Sequence, residues 1–80
     1  MNTVLSIGDS VHLHWQKDSE GNFTVGGVHQ LKEIIFPDGK NGASILWSMN
    51  DTRSDIQVIL ESPEPSGADV HTDMTQISRY

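Results

Sequence analysis

Ile34-Ile35-Phe36-Pro37-Asp38-Gly39-Lys40-Asn41-Gly42-Ala43-Ser44-Ile45-Leu46-Trp47 is the stretch whose reading decides the fold. Two apolar runs, rich in β-branched and aromatic residues, flank a polar segment that holds Pro-Asp-Gly and Asn-Gly. Proline presets the φ angle a turn needs, and glycine takes φ > 0 at no steric cost. The stretch predicts a β-hairpin over 34–47, against which every other segment must find its place.

Working outward towards the N-terminus, Val28, Leu31, Ile34 and Ile35 fall at helical spacing. No capping residue beyond Thr24 starts such a helix, and Pro37 biases Phe36 to extended backbone. The preferred reading is one long strand over 23–36, bent at Gly26-Gly27, since paired glycines inside a strand mark a bulge or a bend. A short helix at 28–35, which would make the chain α+β, is the alternative. Further back, Val11, Leu13 and Trp15 alternate with His12, His14 and Gln16. Period two predicts a half-buried strand over 10–16, followed by a polar loop over 17–22. Met1–Ser6, with Val4 and Leu5, reads as an extra edge strand or a loose start, and Gly8-Asp9 as a turn.

On the C-terminal side, Ala43, Ile45, Trp47 and Met49 share one face of a strand, with Ser44, Leu46 and Ser48 on the other. Asn50–Ser54 is a turn of residues that bond their own backbone. Ile56, Val58 and Leu60 alternate with Gln57, Ile59 and Glu61 in a further strand. Ser62-Pro63-Glu64-Pro65-Ser66-Gly67 reads as a linker. Beyond it Val70, Met74 and Ile77 stand at i, i+4 and i+7, one face of a short helix that Thr72 or Asp73 would cap; a disordered acidic tail is the alternative. The domain reading is a single small β domain over 1–61 with a Pro/Gly linker and acidic segment over 62–80.

The pattern Gly8-Asp9-x-Val11-x-Leu13 resembles the opening of the first strand in SH3-like barrels. It is an architectural likeness, not membership of a family. With the meander of short strands it implies an all-β fold: a small SH3-like barrel, or a strongly bent antiparallel sheet of four to five strands.

Eighty residues make one domain with a small core, and no cysteine is present to staple it. Zero cysteine fits a reducing cytoplasm. The net charge is −6, and residues 61–80 hold half of it. Lys17, Lys32, Lys40, Arg53 and Arg79 are scattered singly, so the basic patch demanded by nucleic acid or an anionic membrane is missing. No apolar run reaches the ~18 residues of a transmembrane helix, and the N-terminus is unlike a secretory signal. A cytoplasmic protein that binds neither nucleic acid nor membrane is expected.

His12 and His14 lie two apart on one face of a strand and are the metal candidates, with His29, Glu33 or His71 able to supply further ligands that no spacing requires; two imidazoles without a fixed third ligand fit exposed polar residues as well, and no cofactor is expected. No cysteine nucleophile, Gly-x-Ser-x-Gly or phosphate loop occurs, so no catalytic residues are assigned and no enzyme is expected. Trp15 and Trp47 fall on the apolar phase of their strands, where aromatics build a core; the functional reading is an aromatic groove for an extended peptide. Leu46 and Ile59 sit out of phase and would form an exposed apolar patch if their strands are neighbours, unless Val70, Met74 and Ile77 fold back over them. The function expected is a non-enzymatic protein-interaction module that binds a partner or itself. Two alternatives are an acidic decoy for a basic nucleic-acid-binding site and a histidine-based metal binder.

Overall fold

The computed structural model describes residues 2–17, 19–48, 50–62, 64 and 67–79. Eight strands and one 3-10 turn appear among them, all strand pairs antiparallel. β1 (Asn2–Ser6) pairs with β5 (Ser44–Ser48) as a separate two-stranded ribbon. The larger sheet holds β2 (Ser10–Lys17), β3 (Phe23–Ile35), β4 (Asn41–Gly42), β6 (Gln57–Leu60), β7 (Val70–Asp73) and β8 (Ile77–Arg79). Its order is β7-β6-β3-β2-β8, with β4 also beside β3.

β7 and β8 are the outermost strands of that order, yet only the 3-10 turn Met74–Gln76 separates them in the chain. A flat array of five strands would set them about 19 Å apart at the usual strand spacing. A three-residue 3-10 turn advances only about 8 Å. The sheet is therefore strongly bent, and the core lies inside the bend. Leu5, Val11, Leu13, Leu31, Ile34, Trp47, Ile56, Val58, Leu60, Met74 and Ile77 form it, with Phe36, Ile45 and Val70 packed at its margin.

The segment at 28–35 is strand, not helix. Its helical spacing has a physical origin. Leu31 pairs with Leu60 but Glu33 pairs with Ile59, so Lys32 is an extra residue bulged out of β3. The bulge shifts the pleat by one, and Leu31 and Ile34 both face the core although they are three apart. The long strand expected over 23–36 is found as Phe23–Ile35.

The C-terminal segment is also not helical. Val70, Met74 and Ile77 belong to strand, 3-10 turn and strand in succession. Asp73 caps the turn, its carboxylate accepting from the Thr75 amide at 2.9 Å. Met74 and Ile77 are buried in the main core, and β7 and β8 pair with β6 and β2. A turn with i and i+3 on one side mimics the spacing of a helix face.

The hairpin at 34–47 is formed only at its tip. Gly39 takes φ +86° and donates to the Phe36 carbonyl at 2.8 Å, and Ile34 and Ile35 pair with Gly42 and Asn41. At Ala43 the chain changes partner: its carbonyl accepts from the Ile7 amide at 3.0 Å, and the following residues pair with β1. Met49, expected on the Trp47 face, lies outside the described residues.

Candidate functional site

The ribbon β1/β5 places one open strand edge beside a groove. Thr3, Leu5, Ile45 and Trp47 turn inward, where Leu5 and Trp47 are buried. Val4 and Leu46 are register partners on the outer face and are each 60% exposed. The Ile7–Ala43 bond extends the ladder by one step, so Leu5/Ile45 and Thr3/Trp47 are the hydrogen-bonded pairs. The amides and carbonyls of Val4, Ser6, Leu46 and Ser48 then point away from the ribbon, along its two edges.

The two edges differ. On β5 the Arg53 guanidinium donates to the Leu46 carbonyl at 2.6 Å. The Ser48 amide donates to the Asp51 carboxylate, and Arg53 Nε donates to Asp51 Oδ1 at 2.9 Å. That loop covers the edge. The Arg53 hydrogen bond holds the Asp51 carboxyl below the usual carboxylate range, against the opposing effect of burial. On β1, among the described residues, only the Ser6 end is covered: its amide donates to Asp9 Oδ2 at 2.9 Å, and its carbonyl accepts from the Asp9 amide at 3.0 Å. Beyond Ser6, among the described residues, no strand lies against β1 on that side.

Because Ser6 contacts Asp9 across this edge, the edge faces the start of β2. A groove of ≈ 240 Å³ runs there, lined by Val4, Leu5, Asp9, Ser10, Trp47 and Arg79. The guanidinium carbon of Arg79 lies over the Trp47 ring, 5.2 Å from its centroid. Natural edge strands carry charge, proline or a cover to repel other strands. β1 is Asn-Thr-Val-Leu-Ser, with no charge and no proline.

The residues singled out in the sequence are not brought together. Leu46 is exposed, but Ile59 is 8% exposed, in β6 between Glu33 of β3 and His71 of β7. Their strands are in different sheets, so the Leu46/Ile59 patch does not form, and Leu46 pairs with Val4 instead. Trp47 is core. Trp15 is 62% exposed, contrary to its place in the apolar phase. Leu13 pairs with Gly27 and Gln16 with Val25, so His14 and Trp15 together oppose Gly26. This bulge turns the pleat over, and Trp15 leaves the core face that Val11 and Leu13 occupy. The two tryptophans therefore line no common groove. His12 and His14 are exposed, and among the described residues no cluster of three metal-ligating side chains occurs.

The buried histidine is His29, 5% exposed, with Nδ1 at 3.2 Å from the Glu61 carbonyl and Nε2 at 3.1 Å from the Gly26 carbonyl. The ring sits between a carbonyl of its own strand, at Gly26, and one just past the end of β6, at Glu61, and the nitrogen that carries the proton donates to its neighbour. The acids also work locally. Asp9, Asp38, Asp51, Asp69 and Asp73 accept backbone amides of Ser6, Lys40, Arg53, Ser62 and Thr75. Asp69 also pairs with Lys32 at 2.8 Å, which lowers the acid and raises the base from their ordinary values.

Sequence reading missed Val4, Asp9 and Arg79. The legible signal was an uncharged strand in a chain of charge −6; the approach of Arg79 to Trp47 has no local signature. No family model, no curated protein and no solved structure matches the chain.

Proposed function

We propose that this chain is a non-enzymatic protein-interaction module that takes up an extended strand of a partner protein on the β1 edge. One observation carries the reading: β1 is uncharged and, among the described residues, uncovered from Val4 outward, whereas on the other edge of the same ribbon Arg53 holds the Leu46 carbonyl and Asp51 the Ser48 amide. Main-chain hydrogen bonds from an added strand supply affinity at such an edge, and flanking side chains supply selectivity. The exposed Val4–Leu46 pair offers apolar contact on the outer face, and the groove receives side chains of the incoming strand on the inner one. The strand order, with its ends joined by a 3-10 turn, supports an SH3-like barrel as the scaffold beneath the ribbon. The absence of cysteine suits a cytoplasmic setting.

Random octapeptides displayed on phage and panned on the chain test this. Val4→Pro is the control: on an edge strand with its amide turned outward, proline removes a donor without touching the β5 ladder. Peptides that bind the parent chain and lose binding to Val4→Pro, at unchanged melting temperature, support the edge. Absence of enriched peptides, or equal binding to both chains, overturns it.

A further inference from the structure

The groove beside β1 has a charge preference of its own. Of the two ionisable side chains that line it, Asp9 is committed to the Ser6 amide. The guanidinium carbon of Arg79 lies over the Trp47 ring, and the guanidinium carries five N–H donors with which to hold another group. Arg53 and Lys32 are paired with Asp51 and Asp69, whereas no carboxylate pairs with Arg79 among the described residues. Asp9 keeps its charge in that hydrogen bond, and Arg79 is the lining group with no ion-pair partner among the described residues.

The pleat fixes where a matching group would sit. A residue directly opposite Val4 on an added strand puts its side chain on the outer face, next to Val4 and Leu46. The residues on either side of it point inward, towards Leu5, Trp47 and Arg79. Resting on the strand-docking reading, we propose that the strand bound by β1 belongs to another protein and carries an aspartate or glutamate immediately beside an apolar residue, with Arg79 reading the carboxylate. A second copy of this chain does not fit. Its β1 brings no carboxylate, and two chains of charge −6 repel one another. That same net charge does not bar a single carboxylate, because its field is screened beyond about 8 Å at physiological salt.

The panning experiment, read for composition, tests the inference separately from the edge itself. Peptides lost on Val4→Pro are expected to be enriched in Asp or Glu next to Val, Ile or Leu. Replacing that acid by its amide in a synthetic, end-capped peptide should weaken binding about tenfold, the effect of one charge-assisted hydrogen bond. Against Arg79→Gln the acid and amide peptides should bind alike. Edge-dependent peptides without acid enrichment, or with an acid preference that survives Arg79→Gln, overturn the inference and leave the edge standing. Loss of binding on removing the end cap, or preference for a free terminal carboxylate, would also overturn it. Sedimentation equilibrium of the chain alone should show a monomer. A dimer that Val4→Pro dissolves would make a second copy the occupant and refute the proposal.

Discussion

The Trp15 indole lies across the backbone of Gly26, so close that a Cβ at residue 26 would fall 2.7 Å from Trp15 Cδ2. The bulge that throws Trp15 out of the core also lays it on this glycine, and the ring shields a strand position that has no side chain of its own. Gly26→Ala forces the ring away and should cost about 1–3 kcal/mol, the usual penalty of overpacking. In a Trp15→Ala background the clash is gone. There the same substitution should gain about 0.5–1 kcal/mol, because alanine loses less backbone entropy than glycine in a strand. Denaturant unfolding of the four chains of this cycle measures the change of sign.

Asp51 predicts the acid limb of stability. Its carboxyl, held down by Arg53, keeps its charge in the folded chain at a pH where the unfolded chain is already protonating. The stabilisation is complete above the unfolded value, about 3.9. It is lost as pH falls below that, through the lower folded value. Asp51→Asn should therefore cost about 1 kcal/mol at neutral pH, the scale of a partly exposed pair. It should make little difference at a pH below the lowered folded value, where the parent carboxyl is protonated and as uncharged as the amide. Thermal melts across the acid range give both ends of the comparison.

Why some of this was legible in sequence and some was not follows from where the causes lie. Alternation in 10–13 and in 56–60 is local, and the inward residues Val11, Leu13, Ile56, Val58 and Leu60 can be read directly from it. Two of the errors fall at bulges, and the third, the helix expected near residues 70–77, falls at a 3-10 turn between two strands. One extra residue at Lys32 makes Leu31 and Ile34 look helical, and one at His14-Trp15 puts Trp15 on the wrong side. A bulge is set by pairing with a distant strand, so period counting passes over it. The site fails to show for the same reason: Val4 meets Leu46, and Arg79 meets Trp47, only because the chain leaves β4 for β1 at Ala43.

Thr3 offers a stabilising substitution. It sits on the inner face of β1 opposite Trp47, and its hydroxyl oxygen is buried with no hydrogen-bond partner among the described residues. A buried hydroxyl left unpaired costs about 1–3 kcal/mol. Thr3→Val keeps the shape and removes the polar atom. It should raise stability by about 1 kcal/mol and the melting temperature by about 4–8 °C. An unchanged or lowered melting temperature would show that the hydroxyl is satisfied in solution.

Met74 tests how far the fold depends on its last ten described residues. The side chain is 1% exposed and sits in the turn that joins β7 to β8. Met74→Ala should cost about 2–5 kcal/mol, as large-to-small changes in cores do. A domain of this size holds only about 5–15 kcal/mol in all. Ending the chain at Ser62 removes Met74 and Ile77 together and strips the pairing partners from β2 and β6. The shortened chain is expected to show no cooperative melt by circular dichroism, while Met74→Ala still melts at a lowered temperature. A cooperative transition in the shortened chain would mean that residues before the linker already hold a complete core, and that β7 and β8 only decorate it.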